Sequence, residues 1–262
     1  MSADASEGGD PAVERHRRIL ALARGAGRVT VDDLAARFEV TPQTIRRDLN
    51  VLARRALLSR VHGGAIVTSG IDNLAYARRR DIATGAKAAI GAAAAALIPN
   101  GASLFINIGT TTEAVAGQLV AHRDLLVISN NLNVIDLLDG HDGIELVVVG
   151  GQVRRGDRAV VGALAMRFIE SFKVDVALIG ASAIDVDGSL LDFAADEVQV
   201  TQTIARNARQ VILVVDSSKV GRAAPVRVGR LDMVDYLVTD QPLPKALLRA
   251  CHEHGVQVIE AG

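Results

Sequence analysis

The sequence lacks tryptophan, contains a single cysteine, and has aromatic side chains at only 3% of its 262 positions. A lone thiol, Cys251, excludes an intrachain disulfide framework and is typical of a protein from a reducing compartment. Hydrophobic residues nevertheless make up 49% of the chain and charged residues 23%, which excludes a disordered protein. The core is therefore predicted to consist mainly of aliphatic side chains.

Long hydrophobic runs are also missing. The longest stretch of small apolar residues, 88–98, is interrupted by Gly91 and stopped by Pro99, whereas a membrane-spanning helix needs roughly 20 apolar residues. The first eleven residues are small and acidic, unlike the basic start of a signal peptide. We therefore expect a cytoplasmic protein with no membrane partner, in which 88–98 forms an alanine-rich helix packed against a sheet.

The chain as a whole has almost no net charge, because 29 basic residues balance 30 acidic ones. This balance conceals a strong asymmetry along the sequence. Residues 13–62 contain 11 arginines and five acidic residues, whereas residues 63–262 carry a net charge of −4. A short basic module attached to an acidic remainder indicates a nucleic-acid partner for the module.

The basic module has the pattern of a winged helix-turn-helix. Helices are predicted from Ala12 to Arg24, from a capping box at Thr30 through Phe38, and from Pro42 to about Arg55. Thr41 is the expected N-cap of the third helix, since proline follows it at the first helical position. Residues 58–67 then predict two short strands around a glycine pair, which would form the wing.

The third helix separates its apolar and polar side chains. Ile45, Leu49 and Leu52 share one face and are expected to pack on the other helices. The opposite face presents Gln, Asn and Arg side chains, which form two-point hydrogen bonds with adenine and guanine edges. The alternative is an ordinary solvated helix surface. The predicted DNA-binding residues are Thr41, Gln43, Thr44, Arg46, Arg47, Asn50, Arg54, Arg60 and His62.

The rest of the chain alternates between strand-like and helix-like segments. Aliphatic strands that alternate with helices predict an α/β domain with a mainly parallel sheet covered on both faces. We predict a tail at 1–11, a DNA-binding domain at 12–67, a linker at 68–85 and an effector-binding domain at 86–262. The predicted strands are 103–108, 125–129, 144–149, 174–179, 211–215, 236–238 and 256–259, with helices at 112–120, 160–170, 197–207 and 244–254.

Small and polar residues follow several of the predicted strands, where ligands bind in such sheets. The glycine and three threonines at 109–112 open a helix and offer N–H and hydroxyl donors to a phosphate. Lys219, one of only four lysines, follows another strand; a surface loop is its alternative role, and a solvated helix start is the alternative for Glu197. The predicted effector-binding residues are Gly109, Thr110, Thr111, Thr112, Asn130, Gly150, Gly151, Glu197 and Lys219.

Other chemistry finds little support in the sequence. His252 and His254 are two residues apart and point away from each other on a helix, so we predict no metal site. The chain has no Walker A or dinucleotide-binding glycine motif, and we predict no cofactor and no catalytic residue. The rival hypothesis is a sugar-phosphate isomerase with a DNA-binding appendage, in which Glu197, Asp216 and Lys219 supply acid and base groups.

Two blocks of the N-terminal module, Thr41–Leu49 and Arg60–Ala65, resemble the signature of the DeoR family of bacterial transcriptional regulators and occur at the usual separation. The resemblance implies a winged helix-turn-helix joined to a sensor domain that is similar to sugar-phosphate isomerases. It also implies a repressor of a sugar or polyol catabolic regulon that leaves its double-stranded operator DNA when it binds a phosphorylated small-molecule effector. A dimer or tetramer is expected, because paired reader helices bind repeated half-sites.

Further blocks, at 107–116, 130–134, 184–191 and 233–235, resemble family members that act in glycerol metabolism. They imply glycerol 3-phosphate as the effector. The sequence departs from the usual pattern at Asn107, where an acidic residue is usual, and at Val220, where an aromatic residue is usual. An activator, or a sensor of another sugar phosphate, remains the alternative within the family.

Overall fold

The computed structural model describes residues 11–26, 28–54, 58–61, 64–66, 76, 80 and 82–262. The chain divides into two compact units, residues 1–71 and residues 72–262. Nearly all of the predicted tail, and most of the predicted linker, lie outside the described residues. Within the described ranges, no helix is both long enough and apolar enough to cross a membrane.

The described residues of the N-terminal unit form three helices and a small antiparallel sheet, so the predicted winged helix-turn-helix is confirmed. The elements are α1 (Pro11–Ala26), β1 (Arg28–Thr30), α2 (Val31–Phe38), α3 (Pro42–Arg54), β2 (Ser59–Val61) and β3 (Gly64–Ile66). Strand β1 was not predicted from the sequence. It pairs with β3, which lies between β1 and β2.

Side-chain caps determine where α2 and α3 begin. The Thr30 hydroxyl accepts a hydrogen bond from the Asp33 N–H at 3.2 Å, and the Thr41 hydroxyl accepts one from the Thr44 N–H at the same distance. Between the helices, Glu39 adopts a left-handed conformation with φ 54° and ends α2. The Thr30 cap that was predicted as part of a capping box and the predicted N-cap Thr41 are thus both present. Glu39 and Thr41 set the tight turn between α2 and α3.

The core of this unit is aliphatic, as its sequence pattern predicted. Ile45, Leu49 and Leu52 on α3 are at most 1% exposed and pack with Ile19 of α1 and Leu34 of α2. Burying three branched side chains on one face of α3 holds the opposite face toward solvent.

The second unit is built on a seven-stranded sheet in which every pairing is parallel. All seven predicted strands occur in it, within a few residues of their predicted ends. The strands are β4 (Ser103–Ile106), β5 (Leu125–Ser129), β6 (Ile144–Val148), β9 (Val174–Ile179), β12 (Ala208–Val214), β14 (Tyr236–Thr239) and β15 (Gln257–Glu260).

Helices cover the sheet and connect its strands. The predicted helix at 160–170 is wrong in its first part, because residues 159–161 form a strand and the helix begins only at Ala163. The helix formed by 132–138 was not predicted. The helices are α4 (Thr84–Ala95), α5 (Thr110–Ala116), α6 (Leu132–Leu138), α7 (Ala163–Ile169), α8 (Ala195–Arg206) and α9 (Lys245–Glu253).

Short antiparallel strands lie outside this sheet, and they were not predicted because each has only two to five residues. One pair forms a hairpin, and three others form a small separate sheet. They are β7 (Gln152–Arg154) with β8 (Ala159–Val161), and β10 (Ala183–Ile184) with β11 (Ser189–Asp192) and β13 (Val226–Arg230).

The predicted alanine-rich helix is α4, and the structure shows that it packs closely on α5, whereas the sequence predicted only its packing against a sheet. A methyl group at Gly91 would lie 2.7 Å from the Ala114 carbonyl oxygen, so only glycine allows this approach of the two backbones. The contact holds α5, the helix that follows strand β4, against its neighbour.

The sheet order places a topological switch point beside β4. The chain proceeds from β4 through β5 to β6 on one side, and then returns to β9 and continues through β12, β14 and β15 on the other side. The loops after β4 and β9 therefore diverge and leave a crevice at the carboxyl ends of these strands, which is where open α/β sheets bind ligands.

Candidate functional site

The outer face of α3 presents the predicted base-reading side chains to solvent. Gln43, Arg46, Arg47 and Asn50 are all exposed, while the apolar face of the same helix is buried. An exposed helix that carries two arginines and two amide side chains has the donors and acceptors needed to read base edges in a major groove.

Two of the predicted DNA-binding residues, Thr41 and Thr44, also stabilise the start of α3. Thr41 is exposed and its hydroxyl caps the helix, while Thr44 is half-buried with its hydroxyl 3.0 Å from that of Thr41. For Arg54 and Arg60 only the backbone is described, in α3 and β2 respectively. His62 lies outside the described residues.

Asp48 anchors α3 to α1, a role that sequence reasoning missed. Its carboxylate accepts hydrogen bonds from Arg15 Nε at 2.6 Å and Nη2 at 3.2 Å, and lies 2.9 Å from His16 Nε2. Burial alone would raise the pKa of Asp48, but the hydrogen bonds from Arg15 and His16 and the positive charge of Arg15 lower the pKa overall. The only sequence signal was an acidic residue within a strongly basic helix.

A cavity lies at the switch point of the sheet, lined by loops that follow β4, β9 and β12. The residues around it come from distant parts of the second unit and combine hydroxyl, carboxylate and ammonium groups. They are Tyr76, Ile108, Gly109, Thr110, Thr111, Asp157, Gly180, Ala181, Ser182, Asp192, Glu197, Val214, Val215 and Lys219.

Five of the nine predicted effector-binding residues line this cavity. They are Gly109, Thr110, Thr111, Glu197 and Lys219.

The other four, Thr112, Asn130, Gly150 and Gly151, are not part of the cavity wall. Thr112 is fully buried, and its hydroxyl lies within hydrogen-bond distance of the Asn107 and Gly109 carbonyl oxygens. It therefore stabilises the loop between β4 and α5 without facing the cavity.

Asn130, which follows strand β5, is likewise buried. Its Nδ2 donates a hydrogen bond to the Val160 carbonyl oxygen at 3.2 Å. The two positions that depart from the family pattern also lie off the cavity wall: Asn107 is buried and donates to the Thr201 hydroxyl at 2.7 Å, and Val220 is half-buried.

Arg154 holds two of the acidic residues of the cavity. Its Nη2 lies 2.7 Å from both Asp157 Oδ2 and Glu197 Oε2, and its Nε donates to Asp157 Oδ1 at 3.0 Å. Burial alone would lower the pKa of Arg154, but the two carboxylates raise the pKa well above its ordinary value. Arg154 therefore stays charged and offsets one of the two negative charges of Asp157 and Glu197.

The loop that carries Lys219 is held by two aspartates. Asp216 caps the short helical turn 217–219 by accepting hydrogen bonds from the Ser218 N–H and hydroxyl, and Asp240 accepts from the Ser217 N–H at 2.6 Å. Asp216 is buried and is not part of the cavity wall. The rival isomerase hypothesis needs Asp216 as an acid or base group, whereas its carboxylate is engaged by the Ser218 N–H and hydroxyl.

Tyr76 joins the cavity to the segment that precedes the sheet, and sequence reasoning missed it. The Tyr76 hydroxyl donates a hydrogen bond to Glu113 Oε2 at 2.5 Å. The other Glu113 oxygen accepts from Asn131 Nδ2 at 3.0 Å and from Asn133 Nδ2 at 3.1 Å. Glu113 belongs to the first turn of α5, so this network connects Tyr76 with the helix that follows Gly109.

Comparison with solved structures gives only a distant likeness. Ribose 5-phosphate isomerase A from Methanocaldococcus jannaschii matches with a TM-score of 0.38 and 18% identity, over 51% of this chain and 53% of that chain.

Curated proteins are far more similar. The glycerol-3-phosphate regulon repressor of Escherichia coli K12 is 42% identical over 94% of this chain and 97% of its own length. The transcriptional repressor CsqR of the same organism is 36% identical over 94% of both chains. The transcriptional regulator GlpR of Haloferax volcanii is 32% identical over 94% of this chain and 97% of its own length.

Two family models cover most of the sequence. The DeoR-like helix-turn-helix domain matches residues 15–70, and the DeoR C-terminal sensor domain matches residues 82–241. The predicted resemblance to the DeoR family is thus confirmed for both domains. The chain belongs to the DeoR family of transcriptional regulators.

Proposed function

We propose that this protein represses a polyol catabolic regulon and leaves its operator when it binds a phosphorylated metabolite, glycerol 3-phosphate. The main support is that one cavity, at the switch point of the sheet, is lined by Gly109, Thr110, Thr111 and Lys219. A 42% identical relative is named for the glycerol-3-phosphate regulon, which supports the identity of the metabolite.

On the DNA side, α3 is the reader helix. Gln43, Arg47 and Asn50 contact base edges, because all three are exposed on the face opposite the buried Ile45 and Leu49. Arg46, together with Arg54 and Arg60, mainly neutralises phosphates.

The clamp formed by Asp48 with Arg15 and His16 gives α3 a fixed orientation on α1. A reader helix must be held rigidly, because hydrogen bonds to base edges require accurate placement.

On the effector side, the phosphate group lies against Gly109–Thr111 and Lys219. Backbone N–H groups and threonine hydroxyls donate hydrogen bonds to phosphate oxygens, and the lysine ammonium supplies a positive charge. The two departures from the family pattern, Asn107 and Val220, are not on the cavity wall, so they leave this arrangement intact.

Release requires that the effector favours a geometry in which the reader helices no longer fit the operator. Tyr76 provides a connection between effector binding and DNA binding. It lines the cavity, and in sequence it lies between the DNA-binding unit and the first strand of the sheet. An effector in the cavity lies against Tyr76 and so reaches the hydrogen bond that Tyr76 donates to Glu113.

Direct binding tests this proposal. We expect glycerol 3-phosphate to bind the full-length protein in a calorimetric titration, and glycerol, which lacks the phosphate, to give no measurable heat. The reason is that each hydrogen bond to a charged group contributes about 1.5–3 kcal/mol. Equal binding of glycerol and glycerol 3-phosphate would contradict the phosphate site, and binding of neither would contradict the proposed effector.

A further inference from the structure

Three carboxylates line the cavity, and they differ in their partners. Asp157 and Glu197 both receive hydrogen bonds from Arg154. Asp192 forms no ion pair with any described residue, although it is only 4% exposed. A buried carboxylate without a cation is costly, so its environment needs explanation.

One oxygen of Asp192 is satisfied by its own surroundings. Asp192 Oδ1 accepts a hydrogen bond from the Ser182 hydroxyl at 3.0 Å and another from the Phe193 N–H at 2.7 Å. The other oxygen, Oδ2, has no donor among the described residues. Oδ2 is not one of the fully buried side-chain atoms that lack a hydrogen-bond partner, and Asp192 lines the cavity. An acceptor is thus left available on the cavity wall.

We propose that Asp192 is a specificity-determining residue of the effector site, which accepts a hydrogen bond from a hydroxyl on the carbon skeleton of the ligand. The inference rests on the proposed function and deepens it. It assigns the two ends of the ligand different chemistry: an anionic group at Gly109–Thr111 and Lys219, and an uncharged hydrogen-bond donor at Asp192.

The same arrangement excludes a class of ligands. A phosphorylated compound that ends in a carboxylate would bring its negative charge to Asp192, and Arg154 is already engaged with Asp157 and Glu197. Like charges in a partly buried cavity repel strongly because water screens them poorly. The site therefore selects phosphorylated polyols and sugars over phosphorylated carboxylic acids.

Two probes that differ only at one end of the molecule test this selection. Glycerol 3-phosphate ends in a hydroxymethyl group, and 3-phosphoglycerate has a carboxylate in its place. We expect the wild-type protein to bind 3-phosphoglycerate at least about tenfold more weakly, the equivalent of losing one hydrogen bond to a charged group. We expect Asp192→Asn to bring the two affinities to within about threefold, because the amide retains an acceptor but carries no charge.

The control is Asp232→Asn, which removes one carboxylate from an exposed position that is not on the cavity wall and should keep the wild-type ratio. Calorimetry gives both affinities, and circular dichroism checks that each variant is folded. Equal affinities in the wild type would overturn the inference even if Asp192→Asn fails to fold. A ratio that Asp192→Asn leaves unchanged would overturn it as well. Binding of neither probe by the wild type would reject the proposed function, and this inference with it.

Discussion

Replacing Arg47 by alanine is expected to remove most of the sequence preference of DNA binding. Arg47 is exposed on the outer face of α3, and a two-point contact between arginine and guanine contributes about 1–3 kcal/mol of discrimination. We therefore expect operator affinity to fall about 10- to 100-fold, while affinity for unrelated DNA changes far less. The measurement is fluorescence anisotropy with an operator selected by the wild-type protein from random DNA, compared with scrambled DNA at the same salt concentration.

The matched control for this change is Arg17→Ala. Arg17 carries the same charge and is exposed on α1, where it pairs with Glu14 at 2.8 Å. Its loss should weaken binding to both DNAs equally and only slightly, because it removes charge without removing a base contact. If Arg47→Ala behaved like Arg17→Ala, with operator preference unchanged, α3 would not read bases through this side chain.

Replacing Lys219 by alanine is expected to weaken effector binding strongly without affecting DNA binding. Lys219 lines the cavity with Gly109 and Thr110 in the second unit, whereas the reader helix belongs to the first. Removing the ammonium group takes a charge-assisted hydrogen bond of about 1.5–3 kcal/mol away from the phosphate. Affinity for glycerol 3-phosphate should therefore fall about 10- to 100-fold in a calorimetric titration, with operator affinity unchanged in the absence of effector.

Lys245→Ala is the control for this variant, because Lys245 is an exposed lysine at the start of α9 that does not line the cavity. It should retain the wild-type affinity for glycerol 3-phosphate. An undiminished affinity in Lys219→Ala would show that the phosphate binds in another part of the molecule. A loss of operator binding by Lys219→Ala alone would show a structural role for the lysine instead.

The fold was largely predictable because its signals are local and repeated. The strands of the sheet are rich in aliphatic residues, as in Leu125–Ser129, and Thr30 and Thr41 cap the starts of α2 and α3. The short strands were not predictable from such signals. Residues 159–161 have the same apolar character as the helix that follows, and only their pairing with β7 makes them a strand.

The cavity was only partly predictable, because its wall is assembled from segments far apart in the sequence. The glycine-threonine block and Lys219 are recognisable, since each follows a strand with an unusual local composition. Asp192 and Tyr76 have no such signal: Asp192 ends a short strand, and Tyr76 lies in a polar connecting segment. Their importance comes from contacts with Ser182 and Glu113, which only the tertiary structure brings together.

The proposed release of this protein from its operator by a phosphorylated polyol is tested by a titration of the protein–operator complex. The wild-type complex with its selected operator is titrated with glycerol 3-phosphate, with glycerol and inorganic phosphate as controls, and the bound fraction of DNA is followed by anisotropy. Coupling between two sites is typically about 1–3 kcal/mol. Glycerol 3-phosphate should therefore weaken operator binding about 5- to 150-fold, and the two controls should leave it unchanged. Operator affinity that stays constant at saturating glycerol 3-phosphate would contradict the claim.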